Sequence, residues 1–141
     1  MMYQLYHPIR IDNPQVDGVK KQIPVTSGSA EVIVDSLQTG KGQAPYIAPA
    51  GSHYVVVGII IKNISTQPIN ITPSLDTYLK QTNGTIDYLS PTDLAQPLRS
   101  GILLPGETIK GQLSYLTKSQ APYYLYIQSD WTSTVIKFML E

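Results

Sequence analysis

The chain has 141 residues, in which ten Lys and Arg balance ten Asp and Glu, and it contains no cysteine. That length suits one domain with a core of its own, and a neutral chain lacks the clustered positive charge needed to bind nucleic acid or anionic lipid headgroups. Without cysteine there are no disulfides, zinc–thiolate sites, iron–sulfur clusters or thiol nucleophiles.

The longest apolar run, Tyr54–Ile61, is eight residues, too short for a transmembrane segment. The opening Met1-Met2-Tyr3-Gln4-Leu5-Tyr6-His7-Pro8 shows no basic stretch followed by a hydrophobic one, as a secretory signal would. Two settings fit: a cytoplasmic protein, or an extracellular or cell-envelope domain whose signal or anchor has been removed. The double Met slightly favours the second.

Eleven prolines and ten glycines interrupt the chain, and no stretch keeps a helical period for three turns, so the elements are strands and turns. Residues 1–29 are irregular and read as an extended arm, with one strand around Tyr3 to Ile11; residues 30–141 read as the folded domain. Its first strand is Glu31–Leu37. After a loop rich in Gly and Pro comes Tyr54–Lys62, apolar on both faces and therefore a central strand covered on both sides for much of its length. Gly58 in its middle predicts a bulge or a close approach by another group.

Ile69 and Ile71 then alternate with polar residues. Asn83-Gly84 between two strand-like runs predicts a hairpin with a type I′ turn. Ser90-Pro91-Thr92-Asp93 has the pattern of a helix start, and Pro97 limits that helix to one or two turns. Leu104-Pro105-Gly106-Glu107 reads as a tight turn, followed by strands at Leu113–Tyr115, Tyr123–Gln128 and Thr132–Leu140. Seven or eight short strands with frequent turns and one short helix predict an all-β, antiparallel, immunoglobulin-like sandwich. Its core is expected to include Val55, Val57, Ile59, Ile61, Leu113, Leu125, Ile127, Ile136 and Phe138.

The order Tyr54-Val55-Val56-Val57-Gly58-Ile59-Ile60-Ile61-Lys62-Asn63, Asn83-Gly84-Thr85, Leu104-Pro105-Gly106-Glu107 and Tyr123–Ile127 resembles the telokin-like, immunoglobulin-like sandwich domain of unknown function of bacterial and archaeal secreted proteins and lipoproteins. The likeness covers about Ala30 to Leu140. It implies a sandwich fold and an envelope location, and it implies no catalytic residues.

Candidate sites are few. His7 and His53 are the only histidines. His53 follows Ser52, but neighbours in an extended chain point to opposite faces and cannot easily pair, so His53 reads as a loop residue. Asp76, Asp87 and Asp93 lack the compact loop of a calcium site; Asp76 reads as a turn residue and Asp93 as a helix-start residue. Three N-glycosylation sequons begin at Asn63, Asn70 and Asn83, each expected to face solvent; Pro73 disfavours the second.

Ten Tyr stand against one Phe and one Trp. Tyr combines a large ring with a wet hydroxyl and suits interfaces. Tyr124 and Tyr126, opposite Leu125 and Ile127, are expected outward and are the candidate partner-binding residues. With charged residues at only 14%, against about 25% in ordinary domains, few charges are available to guard sheet edges. These features favour a non-enzymatic interaction module with no cofactor, binding an envelope or surface protein or glycan, or itself as a homodimer. The alternatives are a small-molecule or metal carrier, or a hydrolase using His53.

Overall fold

The computed structural model describes residues 24–141 and the backbone of Ile9–Ile11. In chain order the elements are β1 (Ile9–Ile11), β2 (Val25–Ser27), β3 (Ala30–Gly40), β4 (His53–Asn63), β5 (Ile69–Ile71), α1 (Pro73–Asp76), β6 (Thr77–Lys80), β7 (Ile86–Asp87), β8 (Gly101–Leu103), β9 (Thr108–Thr117), β10 (Tyr123–Ile127) and β11 (Val135–Leu140). Strands β1-β11-β10-β6-β7 make a five-stranded sheet, β2-β3-β4-β9 a four-stranded one, and β5-β8 a small third sheet. Among the described strands, only β1 with β11 pairs in parallel. The fold is an all-β sandwich. β2 lies within the stretch expected as an arm and pairs into the four-stranded sheet; Tyr3–Pro8 and His7 lie outside the described residues.

The alternating apolar residues of β4 and β10 bury one face of each sheet against the other. All nine residues expected in the core are at most 1% exposed. The core cluster also holds Tyr115 and Trp131. Each such side chain contributes about 1.5–3 kcal/mol through burial.

The outer face of β4 is covered less than its sequence suggests. Tyr54 is buried, but Val56 and Ile60 are half-buried and Lys62 is exposed. Gly58 sits opposite Ser36, where β3 slips register between Val34 and Ser36. A Cβ at Gly58 would run into the Asp35 carboxylate and the Ser36 hydroxyl. The expected bulge is therefore carried by the partner strand, and Gly58 provides the room for it.

Two local expectations are corrected. No helix forms at Ser90. The Ser90 N–H donates to the Ser114 carbonyl at 2.9 Å, and Leu98 N–H to that of Gln112 at 2.9 Å. The Ser114 hydroxyl bonds the Ser90 carbonyl in return. Residues 89–98 thus run beside β9, whose ladder groups take up the backbone that a helix would have used. The helix is instead α1, with Pro73 in its first turn, where a missing N–H costs nothing. The Asp76 carboxylate reaches back to accept the Thr72 N–H at 2.8 Å.

The hairpin is present, but its turn is different. The Gly84 N–H donates to the Gln81 carbonyl and the Gln81 N–H to that of Thr85. Thr82 and Asn83 are therefore the central residues, with Gly84 following at φ 94°. This is the three-residue loop with a bulge rather than a two-residue type I′ turn.

Tyr115 crosses the core, its hydroxyl 2.5 Å from the Thr77 hydroxyl of the opposite sheet. Burial lifts it well above the ordinary tyrosine range, partly offset by that hydrogen bond. The folded state thus prefers the neutral form. Its contribution to stability is complete below the unfolded value of about pH 10 and falls as pH rises above it. Urea midpoints measured from pH 9 to 11 should decline, and Tyr115→Phe should flatten the decline. Ile59→Ala and Phe138→Ala should each cost about 2–5 kcal/mol in the same assay, and unchanged midpoints would misplace the core.

Candidate functional site

On the outer face of the five-stranded sheet, β10 presents Tyr124 and Tyr126 while Leu125 and Ile127 are fully buried on the other side. Cross-strand register sets Tyr126 beside Tyr78 of β6 and Lys137 of β11. The Tyr78 and Tyr126 rings stack with centroids 5.2 Å apart and planes 5° apart. Lys137 Nζ lies 4.7 Å from the Tyr124 ring centre and 5.7 Å from that of Tyr126. Lys80 Nζ stands 5.8 Å from the Tyr126 ring centre.

Tyr126 faces outward as expected, but these neighbours leave it only 8% exposed; Tyr124 is half-buried. Burial first, then the neighbouring Tyr126 and Tyr88, pushes the Tyr78 hydroxyl above its ordinary range. The cluster sets three tyrosine rings beside two lysine side chains, and neither Lys has a carboxylate partner among the described residues. A hollow of about 490 Å³ opens here, floored by Tyr124 and Tyr126, flanked by Lys80 and Lys137 and rimmed by the hairpin residues 81–84.

Tyr78, Lys80 and Lys137 were not singled out from sequence. A signal existed, because Tyr78 and Lys80 are two apart, as are Tyr124 and Tyr126, so each pair shares a face. Only the register joins the two pairs.

The three sequons divide. Asn70 and Asn83 are exposed, as expected, but Asn63 is fully buried. Its Nδ2 donates to the carbonyls of Gln67 at 2.8 Å and Leu103 at 2.9 Å. Its Oδ1 accepts the Ser65 N–H at 2.9 Å and the Ser65 hydroxyl at 2.7 Å. Its main chain takes the Leu-Pro-Gly-Glu turn, accepting the Gly106 N–H and donating to the Glu107 carbonyl. Gly106 provides the turn's φ of 84°, and the Leu104 N–H is bonded by the Glu107 carboxylate at 2.8 Å. A glycan on Asn63 is incompatible with this amide, since a glycan must reach solvent.

His53 opens β4, half-buried, with Nε2 2.8 Å from the Tyr123 hydroxyl across the sandwich. Ser52 is buried. The Asp76 carboxylate accepts from Thr72 and from Trp131 Nε1 at 3.2 Å, Asp87 accepts from the Gln81 amide, and Asp93 pairs with the Thr92 hydroxyl. The fold does not bring the three aspartates together: among the described residues, no three His, Asp or Glu side chains gather to hold a metal ion. No described helix is long and apolar enough to cross a membrane.

Residues 19–136 match the family described as Domain of unknown function (DUF4352). The chain belongs to this family. The matched stretch of the DUF4352 domain takes in the whole four-stranded sheet, including β2, and β6, β7 and β10 of the five-stranded one, and ends at the start of β11. No curated protein sequence matches the chain.

Three solved structures share the fold. A lipoprotein candidate (ycdA) from Bacillus subtilis is 18% identical with a TM-score of 0.69, over 86% of this chain and 39% of that one. This chain therefore spans about two fifths of that protein. An uncharacterized β-sandwich protein from Clostridium difficile is 14% identical with a TM-score of 0.58, over 100% of both chains. The secreted protein MPT63 from Mycobacterium tuberculosis is 10% identical with a TM-score of 0.64, over 94% of this chain and 98% of that one.

The Asn63 joint generates a stability prediction for the DUF4352 domain. Asn63→Ala strips hydrogen bonds from the buried Leu103 carbonyl and from the Gln67 carbonyl, and should cost about 1–3 kcal/mol. Chemical denaturation checks this, and Asn70→Ala, at an exposed site, is the control that should change little.

Proposed function

We propose that this chain is a non-enzymatic interaction module of the cell envelope or extracellular space, and that the outer face of its five-stranded sheet meets the partner. The observation that carries the reading is the cluster of Tyr78, Tyr124 and Tyr126 with Lys80 and Lys137. Tyrosines are frequent hot spots because a large, stiff ring buries much area at little entropic cost. Here the rings are also fixed in place by stacking before any partner arrives, so little ordering remains to oppose binding.

The envelope setting draws support from the company the fold keeps, a secreted protein and a lipoprotein candidate. The finer assignment, an immunoglobulin-like sandwich of the telokin-like kind, draws support from two mainly antiparallel sheets packed around one core. His53 fits a structural role, since its ring nitrogen is bonded to Tyr123 rather than to an acid. The partner is a protein or glycan of the cell surface, or a second copy of the chain.

The test is the double change Tyr124→Ala and Tyr126→Ala, read by sedimentation at several concentrations and by capture from envelope extract. Self-association or partner binding should weaken by more than about 1 kcal/mol. A monomer whose captured partners are the same with and without the double change would end the proposal.

A further inference from the structure

The hollow beside the tyrosines has a chemistry of its own. Around its rim the hydrogen-bonding groups still available are mostly donors. Lys80 and Lys137 lack carboxylate partners among the described residues. Asn83 has committed Oδ1 to the Thr85 N–H at 3.0 Å, which leaves its amide Nδ2 to donate. The Thr82 hydroxyl stands beside it on the exposed hairpin. The Gln81 amide gives its Nε2 to Asp87, which leaves its Oε1 as the one amide acceptor on the rim. The floor is aromatic, and the volume of about 490 Å³ falls in the range of about 300–1,000 Å³ usual for small-ligand sites.

Such a site fits a ligand that is anionic, rich in acceptor oxygens and flat enough to lie on a ring. From this geometry we infer that the hollow binds the sugar rings of an acidic polysaccharide, each carrying a carboxylate, with Lys80 and Lys137 on the carboxylates and the half-buried Tyr124 ring against the sugar's C–H face. The inference rests on the interaction-module reading and names the partner's class.

Two other anionic partners fit less well. An acidic peptide is taken by a cluster of arginines or as an added strand at a sheet edge, and no Arg lines this hollow. At this hollow β10 is already paired on both sides, with β11 and β6, and β6 with β10 and β7, so no free backbone ladder remains beside the lysines. A nucleic acid would need many phosphate contacts for useful affinity, and this hollow offers two cations. Its lysines are pre-placed, because Lys137 Nζ is held 4.7 Å from the centre of the Tyr124 ring, a geometry that attracts an ammonium.

The experiment titrates the full chain calorimetrically with oligogalacturonate, with a neutral malto-oligosaccharide of equal length, and with oligoglutamate. Oligogalacturonate should bind, the neutral sugar should bind at least about tenfold more weakly, and raised salt should weaken the uronate through screening. Lys137→Met and Lys80→Met, which keep the apolar stem, should each reduce affinity about tenfold, the scale of one charged hydrogen bond. Lys137→Arg should retain binding, and the unfolding midpoints of all three variants verify that they fold.

Equal affinity for oligoglutamate, no preference over the neutral sugar, or indifference to both Lys→Met changes would overturn the inference. If uronate binding fails while the Tyr124→Ala, Tyr126→Ala change still weakens self-association or envelope capture, this ligand assignment falls and the module reading stands. If that double change alters neither, the module reading falls with it.

Discussion

The side-chain amide of Asn63 is the joint on which the sandwich closes at one end. It lies where the core strand β4 runs out, and its two donors and one acceptor bind Leu103 from a distant stretch and Gln67 and Ser65 of the loop that follows it. Its main chain meanwhile pairs with the Gly106–Glu107 turn that launches β9. Asn63 is fully buried, so each bond made is a desolvation penalty avoided, and the amide acts by what its absence would expose. The Lys62-Asn63 strand end and the Leu-Pro-Gly-Glu turn, more than forty residues apart in the sequence, are two halves of one contact. A resemblance that consists of those turns is therefore a resemblance in how the sandwich is closed.

Polar ties recur wherever one sheet must hold a fixed place over the other. Thr77 with Tyr115 and His53 with Tyr123 cross the sandwich. Ser27 accepts the N–H groups of Ser133 and Thr134 at 3.2 and 3.1 Å. Dispersion and burial supply the larger stabilisation, and hydrogen bonds to specific carbonyls and hydroxyls add directional constraints to it. Two of these ties use tyrosine, so part of the chain's surplus of that residue serves the interior. Tyr78, Tyr124 and Tyr126 lie outside the core cluster and furnish the outer face.

Much of the core was legible because its residues alternate strictly: Val55, Val57, Ile59 and Ile61 need no partner to declare which way they point. The same periodicity identified Tyr124 and Tyr126 as outward. What could not be read was anything set by long-range competition. Ser90-Pro91 carries helix-start chemistry, yet the segment donates its backbone to β9, a choice visible only once β9 lies alongside. Asn63 carries a sequon, and the local preference of Asn for turns points it outward. The empty acceptors of Gln67 and Leu103 turn it inward. Lys80 and Lys137 gave no signal as a pair, since cross-strand register alone brings them to the same rings.

Low charge leaves few Lys and Glu to guard the sheet edges, and the fold answers by other means. β2 has three residues and β7 two, too short to template a further strand. The open side of β9 is occupied by residues 89–98, bridged at Leu89–Tyr115 and Pro97–Gln112. Among the described edges, then, the long one is covered and the others are blunted. An association that used strand addition would have to displace structure already paired. The five-stranded face asks for no such rearrangement: its rings are stacked, its cations are in place, and its hollow is open to solvent. A surface in that condition favours rigid docking onto a face over pairing at an edge, and such docking requires side-chain chemistry rather than backbone to choose the partner.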